Sequence, residues 1–328
     1  MRLGVNIILV CSVFFSFLSC SGGSSKQVVK EEEKSVNVPQ FNADSAYKYI
    51  EKQVSFGARV PNTKAHVECG NYLEQVLSQH GANVVSQKVQ LTAYDGTLLN
   101  ARNIIASFQP EKKKRIALFA HWDTRPWADH DPDSKNRRTP VIGANDGGSG
   151  VGVLIEIARI LHSQPTELGI DIILFDAEDY GEHNDHEGDR KEESWCLGSQ
   201  HWAKNPHVDN YNARFGILLD MVGGKGSVFY REGYSELYAK DVNKKVWQAA
   251  KRLGYDRIFI NDTGSGVTDD HLFVNKIAQI KTIDIIPYNE GGNFTDVWHT
   301  VNDNMEHIDK GTLKAVGQTV LEVIYKEK

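Results

Sequence analysis

The chain has 328 residues, 40% of them apolar, with 37 Lys and Arg against 43 Asp and Glu and a formal net charge of −6. The apolar share is ample for a buried core, and the acidic balance argues against nucleic acid or an anionic membrane surface as partner.

In chain order, Arg2 gives a short positive start and residues 3–17 are mostly apolar. That run is shorter than the roughly 20 residues of a membrane-spanning helix, so it reads as an export signal. Leu18-Ser19-Cys20, followed by a small polar run, resembles the lipobox of bacterial lipoproteins. The resemblance implies a signal over residues 1–20, a lipid anchor on Cys20 and a periplasmic protein. Residues 21–41, with Lys30-Glu31-Glu32-Glu33-Lys34, lack an apolar period and read as a flexible tether. A single catalytic domain is expected over residues 42–328. With Cys11 lost and Cys20 lipidated, Cys69 and Cys196 remain, and the sequence leaves their pairing open.

Helical apolar spacing predicts helices over 44–54, capped by Asp44, and over 65–79, ended by His80-Gly81. Residues 84–91 and 103–108 alternate as strands. Residues 116–120, 170–175 and 215–219 are nearly continuous apolar runs, as expected of strands buried on both faces. Residues 148–161 form a helix opened by glycines, and 242–253 another, ended by Gly254. The pattern predicts an α/β fold, a three-layer α/β/α sandwich with a mixed, mostly buried central sheet.

Ligands of open α/β sheets sit beyond the carboxyl ends of the strands. His121 and Asp123 follow the first buried run, Asp176, Glu178 and Asp179 the second, and Asp220 the third; Asp284 closes residues 280–283. Helix capping accounts for one aspartate at a strand end, not for so many directed at one crevice. Asp146, Asp179 and His299 together offer two carboxylates and an imidazole, three ligands that leave a fourth position open, as catalytic zinc requires.

His121-Trp122-Asp123-Thr124-Arg125, Gly143-Ala144-Asn145-Asp146-Gly147-Gly148-Ser149-Gly150 and Asp176-Ala177-Glu178-Asp179 resemble the motifs of the M28 zinc aminopeptidase superfamily. Asp269-Asp270-His271 and residues 294–299 narrow the resemblance to its glutaminyl-peptide cyclotransferase branch, the glutaminyl cyclases. It covers nearly all of the chain from about residue 50. It implies Asp146, Asp179 and His299 as ligands of one zinc per chain, Glu178 as the acid/base, and Asp220 with Asp269 as a hydrogen-bonded acid pair. Trp298 and Phe294 become pocket walls. The implied activity is cyclisation of N-terminal glutamine on peptides or exported proteins, with loss of ammonia.

Three departures stand out. Asp179 is one methylene shorter than the glutamate of many relatives, and Asp284 replaces a histidine of animal relatives. The insertion 181–194 displaces the usual pocket tryptophan, leaving Trp195 as its replacement; His183 and His186 within it read as solvated loop residues. The competing reading is a two-zinc aminopeptidase, for which His121, Asp146 and Asp220 would form the second site.

Overall fold

Strands that are apolar at every position need cover on both faces, and the fold supplies it. A computed structural model describes residues 36–288 and 294–328; the expected signal, Cys20 and residues 21–35 of the tether lie outside the described residues. In order run α1 (Ala43–Val54), α2 (Lys64–Gln79), β1 (Asn83–Thr92), β2 (Leu98–Phe108), β3 (Arg115–His121), α3 (Gly148–Ser163) and β4 (Gly169–Phe175). Then come α4 (Leu197–Lys204), β5 (Gly216–Leu219), β6 (Phe229–Arg231), α5 (Gly233–Arg252), β7 (Phe259–Thr263), α6 (Asp270–Phe273), β8 (Thr282–Ile285) and α7 (Lys310–Lys326).

Six strands form one sheet in the order β1-β2-β4-β3-β5-β8, and β6 pairs with β7 in a second, small sheet. β1, β2 and β4 are antiparallel neighbours, whereas β4, β3, β5 and β8 run parallel. Side chains alternate between faces along a strand, and the core divides accordingly. Ile104, Ile116, Leu118, Ile172 and Leu219 join the cluster under α1, α2, α3, α5 and α7. Ile105, Ala117, Phe119, Ile173 and Leu218 join Trp202 of α4 and Val274 on the opposite face. The result is the expected three-layer α/β/α arrangement with a mixed sheet.

Several boundaries differ from the sequence expectation. Asn42, not Asp44, caps α1, because its Oδ1 accepts from the amides of Asp44 and Ser45 at 3.0 and 3.2 Å. Packing reaches back past residue 42: Phe41 is buried, and Gln318 of α7 bonds both the Phe41 amide and the Pro39 carbonyl. α5 starts at Gly233, nine residues before the predicted 242, and carries a non-helical residue at Ala239 that separates the two stretches. Cys69 and Cys196 are both buried and unpaired.

Candidate metal centre and pocket

The four parallel strands point their carboxyl ends to one side, and loops leaving that edge carry the polar residues. His121 ends β3, Asp176 to Asp179 follow β4, and Asp220 follows β5. Two buried carboxylates fix these loops. Asp123 accepts from the amides of Glu178 and Asp179 at 3.1 and 3.2 Å, and Asp303 from those of Asn145 and Asp146 at 2.8 and 3.0 Å. Between Asp146 and α3 the chain turns at Gly147 with φ of 76°, where a Cβ would lie 2.4 Å from the Asp123 carbonyl oxygen. Only glycine fits there without strain.

Asp146, Asp179 and His299 are buried and bring one donor atom each to within 4.8 Å of one another. His299 Nε2 lies 3.1 Å from Asp179 Oδ1 and 3.5 Å from Asp146 Oδ2. Tetrahedral ligands of zinc, at 2.0–2.2 Å from the ion, stand roughly 3.3–3.6 Å apart, so the spacing fits. Both Oδ atoms of Asp179 are buried without a hydrogen-bond donor among the described residues, although His299 Nε2 is so near. Two groups that touch without bonding, one a carboxylate short of donors, suit a shared cation. Asp129 faces the imidazole, its Oδ1 3.6 Å from His299 Nδ1 and short of a hydrogen bond, and is itself gripped by Arg125 through Nε and Nη2 at 3.1 and 2.6 Å. Such outer partners orient metal-binding histidines.

A second group, His121, Asp146 and Asp220, adjoins the first and shares Asp146. Here His121 Nε2 hydrogen-bonds Asp220 Oδ1 at 3.1 Å and lies 3.0 Å from Asp146 Oδ1. Burial opposes charge on this imidazole, but Asp123, Asp146 and Asp220 outweigh it and raise its pKa well above the ordinary value. The His121 ring thus lies between these two carboxylates, 3.0 and 3.1 Å from them.

Glu178 sits beside both groups. Its Oε1 accepts from the Cys196 thiol at 3.2 Å, and its Oε2 lies 3.8 Å from His121 Nδ1. Burial first, then the charges of Asp179, Asp269 and Asp270, push its pKa well above the usual carboxylate range. Asp220, raised by burial and by Asp269 and Asp146, is pushed up to about 7. Asp269 caps α6 and gathers with Glu178 and Cys196 on one side and with His271 and Asp284 on the other. Asp284 lies inside β8 rather than after it, fully buried.

Beside these acids opens a cavity of about 300 Å³, lined by Asp146, Glu178, Asp179, Asp220, Asp269, His299, Trp195, Trp298, Phe294 and Tyr288, among others. Trp298 stacks on His299 at 3.8 Å and packs against Phe294 at 4.6 Å, with Tyr288 a further 5.3 Å along. Trp195 lies parallel to His299 at 6.3 Å, under the Arg125 guanidinium at 4.6 Å. Gly181 makes room for that indole; a Cβ there would come within 2.0 Å of the ring.

The insertion is more tightly built than its composition indicates. Glu182 accepts from the Lys191 amide and the Ser194 hydroxyl, and Arg125 bonds the carbonyls of Gly181 and Glu182. His183 is a correction: it is buried against Trp127, its Nδ1 accepting from the Asp185 amide, while His186 is exposed as expected. A charged sequence does not reveal that Trp127 and the Arg137 carbonyl, far upstream, cover this histidine. Asp129, Asp303, Cys196 and Arg125 are the supports that sequence reasoning did not single out. Each acts through a contact distant along the chain, except for the Arg125–Asp129 pair four residues apart.

Residues 103–324 match the model of peptidase family M28. The structure of a Bacteroides thetaiotaomicron glutaminyl cyclase bound to N-acetylhistamine is 67% identical, with a TM-score of 0.88, covering 89% of this chain and 100% of that one. A leucine aminopeptidase precursor from the same organism is 68% identical, with a TM-score of 0.87 and coverage of 89% and 100%. An aminopeptidase of Bacillus subtilis is 27% identical over 309 residues, 90% of this chain, which spans 59% of that relative's length.

Proposed function

The chain belongs to peptidase family M28, and on that footing we propose that it is a zinc-dependent glutaminyl-peptide cyclotransferase, converting N-terminal glutamine of peptides to pyroglutamate with release of ammonia. The observation that carries the reading is an aromatic pocket set directly on the candidate zinc ligands, with Trp298 stacked on His299 and Glu178 on its wall. The 67% identity to a glutaminyl cyclase over 89% of the chain supports it.

Asp146, Asp179 and His299 would hold one zinc, which when bound supplies Lewis acidity to the γ-carbonyl oxygen of glutamine. The rest falls to side chains. Trp298, Phe294 and Trp195 keep the glutamine side chain folded back and exclude water, bringing the α-amine to the γ-carbon. Glu178 takes the proton from the attacking amine and returns it to the departing nitrogen as the carbon–nitrogen bond of the amide breaks. Asp220 and Asp269 flank the path of that proton from the same cavity.

The second reading, a two-zinc aminopeptidase, has a specific observation behind it, since Asp146 is shared by two potential ligand groups. Against it, Asp269 stands near Asp220 and, with burial, raises its pKa, so a second cation would have to displace a proton there. Incubating the protein with Gln-initiated and Leu-initiated peptides separates the two. Ammonia loss from the first is expected; hydrolysis of the second with no ammonia would overturn the proposal, and a zinc content near two per chain would favour the peptidase.

We place the enzyme in the periplasm, lipidated at Cys20 and tethered by the segment that follows it, on the sequence of the first twenty residues. Cys20→Ala should move it from the membrane to the soluble fraction; an unchanged distribution would refute the anchor.

A further inference from the structure

Next to Asp269 lies a buried row of polar groups that cyclisation, as described, leaves unused. Asp284 is fully buried in β8, and neither of its carboxylate oxygens has a hydrogen-bond partner among the described residues. His271 of α6, also fully buried, directs Nδ1 to within 3.7 Å of Asp284 Oδ2 and Nε2 to within 2.9 Å of Glu232 Oε2. Donor atoms of Asp269, His271 and Asp284 all lie within 4.8 Å of one another.

Glu232 is where four parts of the fold meet. It caps α5 through the amides of Tyr234 and Ser235, and accepts the Ser235 hydroxyl, His271 Nε2 and the amide of Val267 in the pocket wall. Ser235 Oγ in turn receives the Asp284 amide at 2.9 Å. Asn275 locks α6 to β8, bonding the His271 carbonyl together with the carbonyl and amide of Thr282. Burial works against a charged Glu232, but His271 and the other donors outweigh it and bring its pKa down to about 2. A carboxylate held ionised in the interior requires a cationic or strongly donating partner, and the ring supplies it.

We infer that Glu232 and His271 are a positioning pair for the active-site acids: Nε2 donates to Glu232, which fixes the ring with Nδ1 facing Asp284 at 3.7 Å, and the ring and Asp284 together hold Asp269 in place. The titratable groups facing the ring are Glu232 from the α5 cap, Asp269 from the α6 cap, and Asp284 from β8. All are acids. Removing the imidazole takes a strong hydrogen-bond donor away from this row of carboxylates, and losing a donor to the charged form of an acid favours its protonated form.

This rests on the cyclase reading, and the experiment keeps the two apart. Zinc-loaded full-length wild type, His271→Gln, Glu232→Gln, Asp269→Asn and the His271→Gln/Asp269→Asn double variant are assayed on a Gln-initiated peptide across pH, with zinc content and thermal unfolding in parallel. We expect His271→Gln to lower kcat about 10–100-fold, as loss of an orienting partner does, with KM and zinc content unchanged. The acid limb of the pH profile should move up by about one unit or more, and Glu232→Gln should do the same more weakly. Because the pair acts through Asp269, the double variant should be no slower than Asp269→Asn alone. Losses that multiply in the double variant, an unshifted pH profile, or a metal ion found bound by Asp269, His271 and Asp284 would each overturn the inference. If wild type instead hydrolyses a Leu-initiated peptide, the cyclase reading fails, and the same cycle on that activity still tests the pair.

Discussion

Glu178→Gln keeps the shape of the side chain and takes away its capacity to accept a proton. General acid–base catalysis is typically worth about 10²–10⁴-fold, or roughly 2.7–5.4 kcal/mol of transition-state stabilisation. The structure argues for the upper half of that range. Burial and the charges of Asp179, Asp269 and Asp270 raise the Glu178 pKa well above the usual value, toward the working pH at which a base is most effective. In the proposed mechanism one residue carries the proton both ways, so its loss would affect both attack and departure. Packing should survive, since glutamine can still accept from the Cys196 thiol, and the metal should stay, since Glu178 lies outside the ligand group. The assay is ammonia release from a Gln-initiated peptide, with elemental analysis for zinc. Wild-type kcat/KM should rise with pH through the raised Glu178 pKa, because only the ionised carboxylate can take a proton, and the variant should lose this limb. Turnover within threefold of wild type at equal zinc content would refute the assignment.

His299→Ala should lose zinc itself, because two carboxylates remain; elemental analysis showing full zinc would move the ligand set elsewhere. Metal-free protein should become less stable as pH rises. Asp220 and Asp303 are pushed by burial from 3.8 up to about 7, and an acid whose pKa is raised on folding contributes stability at low pH that disappears as pH passes the folded value. Its Tm should fall between pH 4 and 8 and the gain from added zinc should grow across that window, whereas a flat profile in scanning calorimetry would contradict the burial of these acids. Gly147→Ala combines positive φ with a clash against the Asp123 carbonyl, and should cost about 1–3 kcal/mol in urea unfolding; no loss would show that the turn can relax.

Much of this was legible in the sequence because buried parallel strands announce themselves. Residues 116–120, 170–175 and 215–219 fall within or overlap β3, β4 and β5, and a residue just past such a run is placed at the crevice by topology alone. α7 gave no comparable signal. It is buried nearly all round and hides Gln318, Thr319 and Glu322 among its apolar residues, so no amphipathic stripe marks it. β6 and β7 are too short for a period to show, and their pairing depends on the α5 segment between them. At the site, the residues offered to metal and substrate were visible as types in motifs, while those that hold them were not. Asp303 reads as a loop acid until its carboxylate is seen receiving two amides from before α3, and His271 as part of a motif until Glu232 is seen behind it.

The shared grip of Asp123 on the amides of Glu178 and Asp179 sits far from the last ligand in order of synthesis. Asp146 and Asp179 emerge early, but His299 follows only after β5, α5, α6 and β8. On the proposed ligand set, no local segment of the chain can therefore capture zinc. Contacts so distant in sequence form late, because loop closure must be met before they are rewarded. Metal loading is thus a report on completed folding rather than a cause of it, unlike small zinc modules in which the ion organises the chain. A chain halted before β8 would display its carboxylates without holding the ion, and zinc retention after dialysis could serve as a simple assay for full-length, correctly closed enzyme.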